Sequence, residues 1–346
     1  ARRTLAALRS LRWGCLFFAL IPVFSPALDI QPESGSGWQS KQAATAQTHM
    51  VVAAHPLASE VGLEILEQGG SAIDAAVAVQ MMLNLVEPQS SGLGGGAFLV
   101  YWDAENKRLT SYDGRETAPL AAEPDYFLDE QGEPMQWWQA VRGGRSVGVP
   151  GTLRLLERVH REYGQLAWRR LLLPTIEQAR QGFTVTPRLA NSIARASKYG
   201  LADAESASDY FFDDQGQPLE AGVLLKNPEF ADTLEKLLSK GPAYFYRGEL
   251  AREIVDAVST NGEPPGLMTL EDLDRYEVIE REPVCAPYRD YRVCGMGPPG
   301  SGALTVGQML GMLQHFDLPT LGPGVDAVHI YSEAAKLAYA DRARYM

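Results

Sequence analysis

Cysteine is scarce: the 346 residues hold three, Cys15, Cys285 and Cys294. So few thiols exclude a disulfide-built scaffold, and no close histidine pair or further cysteine completes a zinc-type spacing. The histidines His49, His55, His160, His315 and His329 are dispersed, so no metal site is expected. Cofactor signatures are missing as well. Gly92, Gly94, Gly95 and Gly96 do not fit a dinucleotide fingerprint, and no Walker-type lysine and hydroxyl follow them. Ser90 and Ser91 offer hydroxyls for a nucleophilic or oxyanion-binding loop, but neither lies in a G-x-S-x-G elbow and no chain-order triad supports them. Positive charge is in deficit, with 31 Lys plus Arg against 43 Asp plus Glu and a net charge of -12. Such a surface repels phosphate backbones, so no nucleic-acid partner is expected.

Long apolar runs are lacking apart from WGCLFFALIPVF, which follows Arg2, Arg3, Arg9 and Arg12 and precedes the small residues Ser25-Pro26-Ala27. It is short for a bilayer span and has the layout of a secretory signal peptide over residues 1–27, with a membrane anchor over 13–24 as the weaker reading. Cys15 lacks the residues that precede a lipoprotein cleavage site. Residues 28–48 read as a flexible mature N-terminus. Export to a periplasm or cell exterior follows from this layout. In such an oxidising compartment Cys285 and Cys294, which flank Tyr288-Arg289-Asp290, admit either a disulfide across a hairpin or two free thiols.

What is present suits a globular chain: 45% hydrophobic and 21% charged residues, enough for one large domain or two smaller ones. Met50–Ala54 reads as a buried strand. Pro56 opens a helix to Gln68, Gly69-Gly70 stops it, and Ser71 with Asp74 three residues later caps the next. Strands at 97–102 and 108–112 flank a tight turn. After Gly151 the period turns helical: Leu155 and Val159 share a face that Leu153 and Leu156 widen, and further helices lie near 168–181, 187–198, 229–239 and 247–260; Pro174 begins or breaks the first of these. Thr269 caps a short helix, a hairpin spans 283–296, and helices cover 303–315 and 325–344. The last helix ends abruptly at Met346, which suits a natural domain end, a fragment or one chain of a processed protein. The order of elements argues a layered α/β or α+β domain.

One arginine stands out. Arg115, in Asp113-Gly114-Arg115-Glu116-Thr117-Ala118-Pro119, follows the glycine run 92–96 and offers a planar fork that grips a carboxylate with two parallel hydrogen bonds. The bland reading is an ion pair with Asp113 or Glu116. For Gly94, Gly95 and Gly96 the alternatives are a tight turn, helix–strand packing or close approach to a ligand. His55 reads as a general base or, better, a capping residue. The Trp137-Trp138 pair suits an aromatic ligand or loop packing. No residue presents itself as a nucleophile.

Several ordered segments resemble the large chain of the gamma-glutamyltransferase (glutathione hydrolase) family. They are His49–Pro56, Gly69–Ala76, Glu87-Pro88-Gln89, Gly92–Gly96, Asp113–Pro119, Ser146–Gly151, Gly241–Tyr246, Leu270–Leu273 and Tyr339–Arg342. Residues 297–303 look like a variant of the family's proline-serine-glycine loop, and 263–268 depart from its usual glycine-glycine approach. The likeness spans roughly residues 45–345. It implies an α+β N-terminal-nucleophile hydrolase fold, a four-layer αββα sandwich with a helix-rich second half, over residues 49–346. It also implies an autoprocessed precursor whose absent small chain begins with the nucleophilic threonine and forms a heterodimer with this one. The implied reaction attacks the gamma-glutamyl amide of glutathione or a related donor and passes the acyl group to water, an amino acid or a dipeptide, without a cofactor. On this resemblance Arg115 binds the donor's α-carboxylate and Gly94, Gly95 and Gly96 support the adjacent wall. No threonine of this chain is assigned as catalytic, and this chain alone is expected to be inactive. Export then points to a bacterial periplasm or secretion. A glutaryl-cephalosporin-type acylase and a noncatalytic binding or assembly fragment are the alternatives.

Overall fold

The computed structural model describes residues 42–346 apart from Glu263; the signal-peptide reading and most of the N-terminal segment 28–48 lie outside the described residues. Helix α1 (Pro56–Glu67) begins with proline at its first position, where no amide partner is needed, and His55 Nδ1 accepts from the Leu57 amide at 3.2 Å. It ends in a paired turn: Gly69, at φ 85, donates to Leu66 O, and Gly70 donates to Ile65 O. Helix α2 (Ala72–Val86) starts with a reciprocal box in which the Ser71 hydroxyl accepts from the Asp74 amide and the Asp74 carboxylate from the Ser71 amide. That carboxylate is fully buried and also accepts from the amides of Gln165 (2.9 Å) and Leu166 (3.2 Å), so it ties the start of α2 to a loop ninety residues later.

That loop joins α3 (Thr152–Tyr163) to α4 (Trp168–Gln181). Their inward faces, Leu153, Leu155, Leu156, Val159, Leu171, Leu172 and Ile176, meet Val77, Met81, Met82 and Leu85 of α2 in one core. Pro174 neither begins nor breaks α4, which continues through it. Further helices follow: α5 (Pro187–Ser197), α6 (Pro228–Lys240), α7 (Glu249–Thr260) and α8 (Leu270–Arg275). The helix expected near 247–260 is α7, and a separate short helix, Ala243–Arg247, precedes it across Gly248. A second reciprocal box, Thr269 with Asp272, caps α8.

Strands β1 (Ala97–Asp103) and β2 (Arg108–Gly114) pair antiparallel, with Phe98 opposite Asp113. The Asp103 carboxylate accepts from the amides of Glu105 and Asn106 in the turn, and Lys107 takes φ 53. β3 (Ile279–Arg281), unforeseen from the sequence, joins the free edge of β2 and makes it the central strand of three. Tyr112, wholly buried, bridges sheet to helix through 2.7 Å hydrogen bonds to Glu162 and Tyr163 of α3. Hairpin β4 (Val284–Tyr288) and β5 (Tyr291–Gly295) leads into α9 (Gly302–Leu313), and α10 (Val325–Tyr345) ends the chain. The strand expected at Met50–Ala54 is absent: the segment is coil, and Ala53 donates to the Ser59 hydroxyl rather than to a ladder.

Candidate functional site

Arg115 is the residue after the last of β2, and its backbone is held on both sides. Its amide donates to Asp113 Oδ1 at 3.0 Å, and its carbonyl accepts from the Tyr276 hydroxyl at 2.7 Å. Tyr276 follows α8 and is nearly inaccessible; burial first, then the nearby carboxylates of Asp113 and Glu116, pushes its phenol up, so the group stays a donor. Asp113 is in turn engaged by Arg281 Nε of β3 at 2.8 Å. The sequence-level ion pair between Arg115 and Asp113 therefore does not form: Arg281 takes the carboxylate. Glu116 does not take the guanidinium either, for among the described residues no carboxylate pairs with Arg115, which lies exposed. Its one side-chain neighbour of note is the Phe98 ring, 5.8 Å from the guanidinium carbon to the ring centre.

The glycine run explains itself by contact. Gly95 O accepts from the amides of Gly151 and Thr152, both at 3.0 Å, and so satisfies the orphan donors at the start of α3. Gly96 faces Glu116 so closely that a β-carbon there would sit 2.6 Å from the Glu116 amide and against its carboxylate. A β-carbon on Gly151 would overlap Gly114 O and the Tyr276 hydroxyl. Gly94 is open to solvent. The run thus sets the start of α3, the end of β2 and Glu116 against one another. On the far side, Gly300 donates to Gly297 O in a turn beside the Phe98 ring, whose edge would lie 3.4 Å from a β-carbon placed on Gly300. Phe98, Tyr276 and Arg281 had no signal in local pattern. The hairpin register could have paired Phe98 with Asp113, but the other two arrive from more than 160 residues away.

The remaining candidates have partners outside this cluster. His55 caps α1, and burial lowers its pKa. The Ser91 hydroxyl donates to Asn84 Oδ1 at 2.9 Å and accepts from Gln80 at 2.6 Å, which occupies it structurally. Gly144-Arg145-Ser146-Val147-Gly148 also spells an elbow string, yet it forms a 3-10 turn in which Ser146 donates to Val141 O and Gly143 O. Trp137 is half exposed on a short helix. Cys285 and Cys294 are directly paired in the β4–β5 ladder with their sulfurs 2.11 Å apart. Among the described residues no cluster of His, Cys, Asp and Glu fits a metal ion, and no helix is long and apolar enough to cross a membrane. Two open depressions, of about 440 Å³ beside α7 and about 480 Å³ between α9 and α10, include none of the Arg115 cluster.

Comparison with known proteins gives a consistent picture. The family model described as Gamma-glutamyltranspeptidase matches residues 58–346. The chain is 39% identical over 306 residues to the glutathione hydrolase proenzyme of Bacillus subtilis (strain 168), covering 88% of this chain and 51% of that protein. It is 37% identical over 309 residues to the Acylase ACY 1 proenzyme of Pseudomonas sp. (strain V22), covering 88% and 54%. The crystal structure of Helicobacter pylori gamma-glutamyltranspeptidase superposes with a TM-score of 0.82 at 36% identity, covering 88% of this chain and 86% of the solved one. The chain spans about half the length of the curated relatives it matches. The fold is accordingly the mixed α/β, helix-flanked sandwich of N-terminal-nucleophile hydrolases, helix-rich in its second half.

Proposed function

The chain belongs to the gamma-glutamyltranspeptidase family, and from that premise we propose that it is the large chain of a gamma-glutamyltransferase in which Arg115 grips the α-carboxylate of the donor. The observation that carries this reading is the state of Arg115: main chain tied at both the amide and the carbonyl, guanidinium exposed and unpaired. A fork so placed can take a carboxylate through two parallel charge-assisted bonds. Once that end of a glutamyl group is fixed, its γ-carbonyl lies at a set reach along three carbons, where a nucleophile can attack it. This chain holds the donor. The nucleophilic threonine, with its own amine as base, belongs to a small chain cut from the same precursor, and the acyl group then passes to water, an amino acid or a dipeptide. Support for processing comes from lengths: one alignment covers 51% of a proenzyme and 86% of a solved family chain. Gly94, Gly95 and Gly96 form the wall that spaces Glu116 and α3 around the clamp. The basic-then-apolar start of the chain supports export to a bacterial periplasm or beyond, the setting in which a Cys285–Cys294 disulfide persists.

Arg115→Ala in the assembled protein should lower kcat/KM for gamma-glutamyl-p-nitroanilide by roughly a hundredfold, about the loss of two charge-assisted bonds. Its self-cleavage, followed by gel, should proceed as in the wild type. Equal donor kinetics in mutant and wild type would sink the clamp. The acylase likeness at 37% identity supports a second reading, glutaryl-amide hydrolysis. Faster turnover of glutaryl-7-aminocephalosporanate than of gamma-glutamyl amides would select it.

A further inference from the structure

We propose that Phe98 is the positioning residue of the carboxylate clamp, an inference that rests on the donor-binding reading of Arg115. The main-chain bonds to Asp113 and Tyr276 fix where Arg115 starts, but its long stem keeps its own rotamer freedom. Something must hold the guanidinium without consuming its N–H edge. An acidic neighbour would do the first and forfeit the second, because a carboxylate takes the fork that the substrate needs. An aromatic face does both, since it meets the plane of the cation and leaves the in-plane donors free.

The geometry supplies that face. Phe98 lies directly opposite Asp113 in the β1–β2 ladder, and Arg115 is two residues past Asp113, the diagonal neighbour on the same side that long side chains reach. The guanidinium carbon sits 5.8 Å from the ring centre. On its other side lies the turn at Gly297–Gly300, where a β-carbon built on Gly300 would sit 3.4 Å from the ring, at ordinary van der Waals contact. The neighbouring acids are diverted: Asp113 to Arg281, and Glu116 against Gly96. A cationic fork, an aromatic support and removed competitors are what a site for an anionic small-molecule end requires.

The test uses the assembled, processed protein. Phe98→Leu keeps apolar bulk and removes the π-face; it should raise the KM for gamma-glutamyl donors roughly two- to fivefold with kcat little changed. Phe98→Tyr should restore the wild-type KM. In an Arg115→Ala background, Phe98→Leu should change kcat/KM no further, because the cation is gone. Crystal structures of wild type and Phe98→Leu without substrate give a second readout: the Arg115 guanidinium should be ordered in the first and spread over rotamers in the second. The same ordered guanidinium in both overturns the proposal whatever the substrate proves to be. An unchanged KM alongside a lost guanidinium position overturns instead the clamp reading of Arg115, and the proposal falls with it. Equal losses from Phe98→Leu in the wild-type and Arg115→Ala backgrounds also overturn it, since Phe98 would then act through packing alone.

Discussion

Helices α2 and α10 were both legible from spacing, yet they live in opposite surroundings. Nine of the fifteen residues of α2 are buried, whereas the twenty-one of α10 bury only Ala334 and Ala338. α10 exposes Val325, Val328, Tyr331, Leu337 and Tyr339. Periodicity and caps decide that a helix forms; what packs on it decides how much that helix matters to stability. The proposed clamp lies on the α2 side of this divide, where β2, α3 and the glycine run meet one core.

The widest separation should come from apolar truncation. Leu85→Ala in α2 should cost about 2–5 kcal/mol, whereas Leu337→Ala in α10 should stay within about 0.5 kcal/mol, both read from urea unfolding midpoints. Similar losses at the two sites would erase the contrast. Next comes Asp74→Ala, which strips a buried acceptor from the amides of Ser71, Gln165 and Leu166 and should cost about 3 kcal/mol. A loss below about 1 kcal/mol would mean that the α2 cap and the α3–α4 loop stand independently. The smallest effect concerns pH. Burial holds the His55 pKa below its ordinary 6.5, so on acidification the unfolded chain takes up the proton first. The contribution is fully present above pH 6.5 and is lost as pH falls through the depressed value. Stability should therefore fall below pH 6.5 more steeply in wild type than in His55→Asn, which keeps a capping side chain without the titration. Parallel profiles would remove His55 from the account.

Local chemistry was readable in the sequence and distant pairing was not. The Ser71/Asp74 box and the Thr269 cap need only a three-residue spacing, and each forms as expected, with Asp272 turning the second into a box as well. The Met50–Ala54 run is apolar enough for a strand, but among the described residues no neighbouring strand offers it a ladder, and Val52 is left exposed. β3 is too short to announce itself and exists because the edge of β2 is open to Ile279–Arg281. Arg115 drew attention through its glycine-rich neighbourhood and through resemblance. What frees its guanidinium is that Arg281 occupies Asp113, a fact that only the folded sheet contains.

The Tyr276 hydroxyl reaches back 161 residues to the carbonyl of Arg115, and Arg281 reaches 168 to the carboxylate of Asp113 near the end of β2. Such separations put the assembly of the Arg115 cluster after the release of Tyr276 and Arg281. A ribosome that has released only the glycine run, the β1–β2 hairpin and the helices after them has made an arginine with nothing to hold its carbonyl. Closing so long a loop awaits the residues after α8, so the proposed carboxylate recognition is a product of long-range closure rather than a property of the hairpin that carries Arg115.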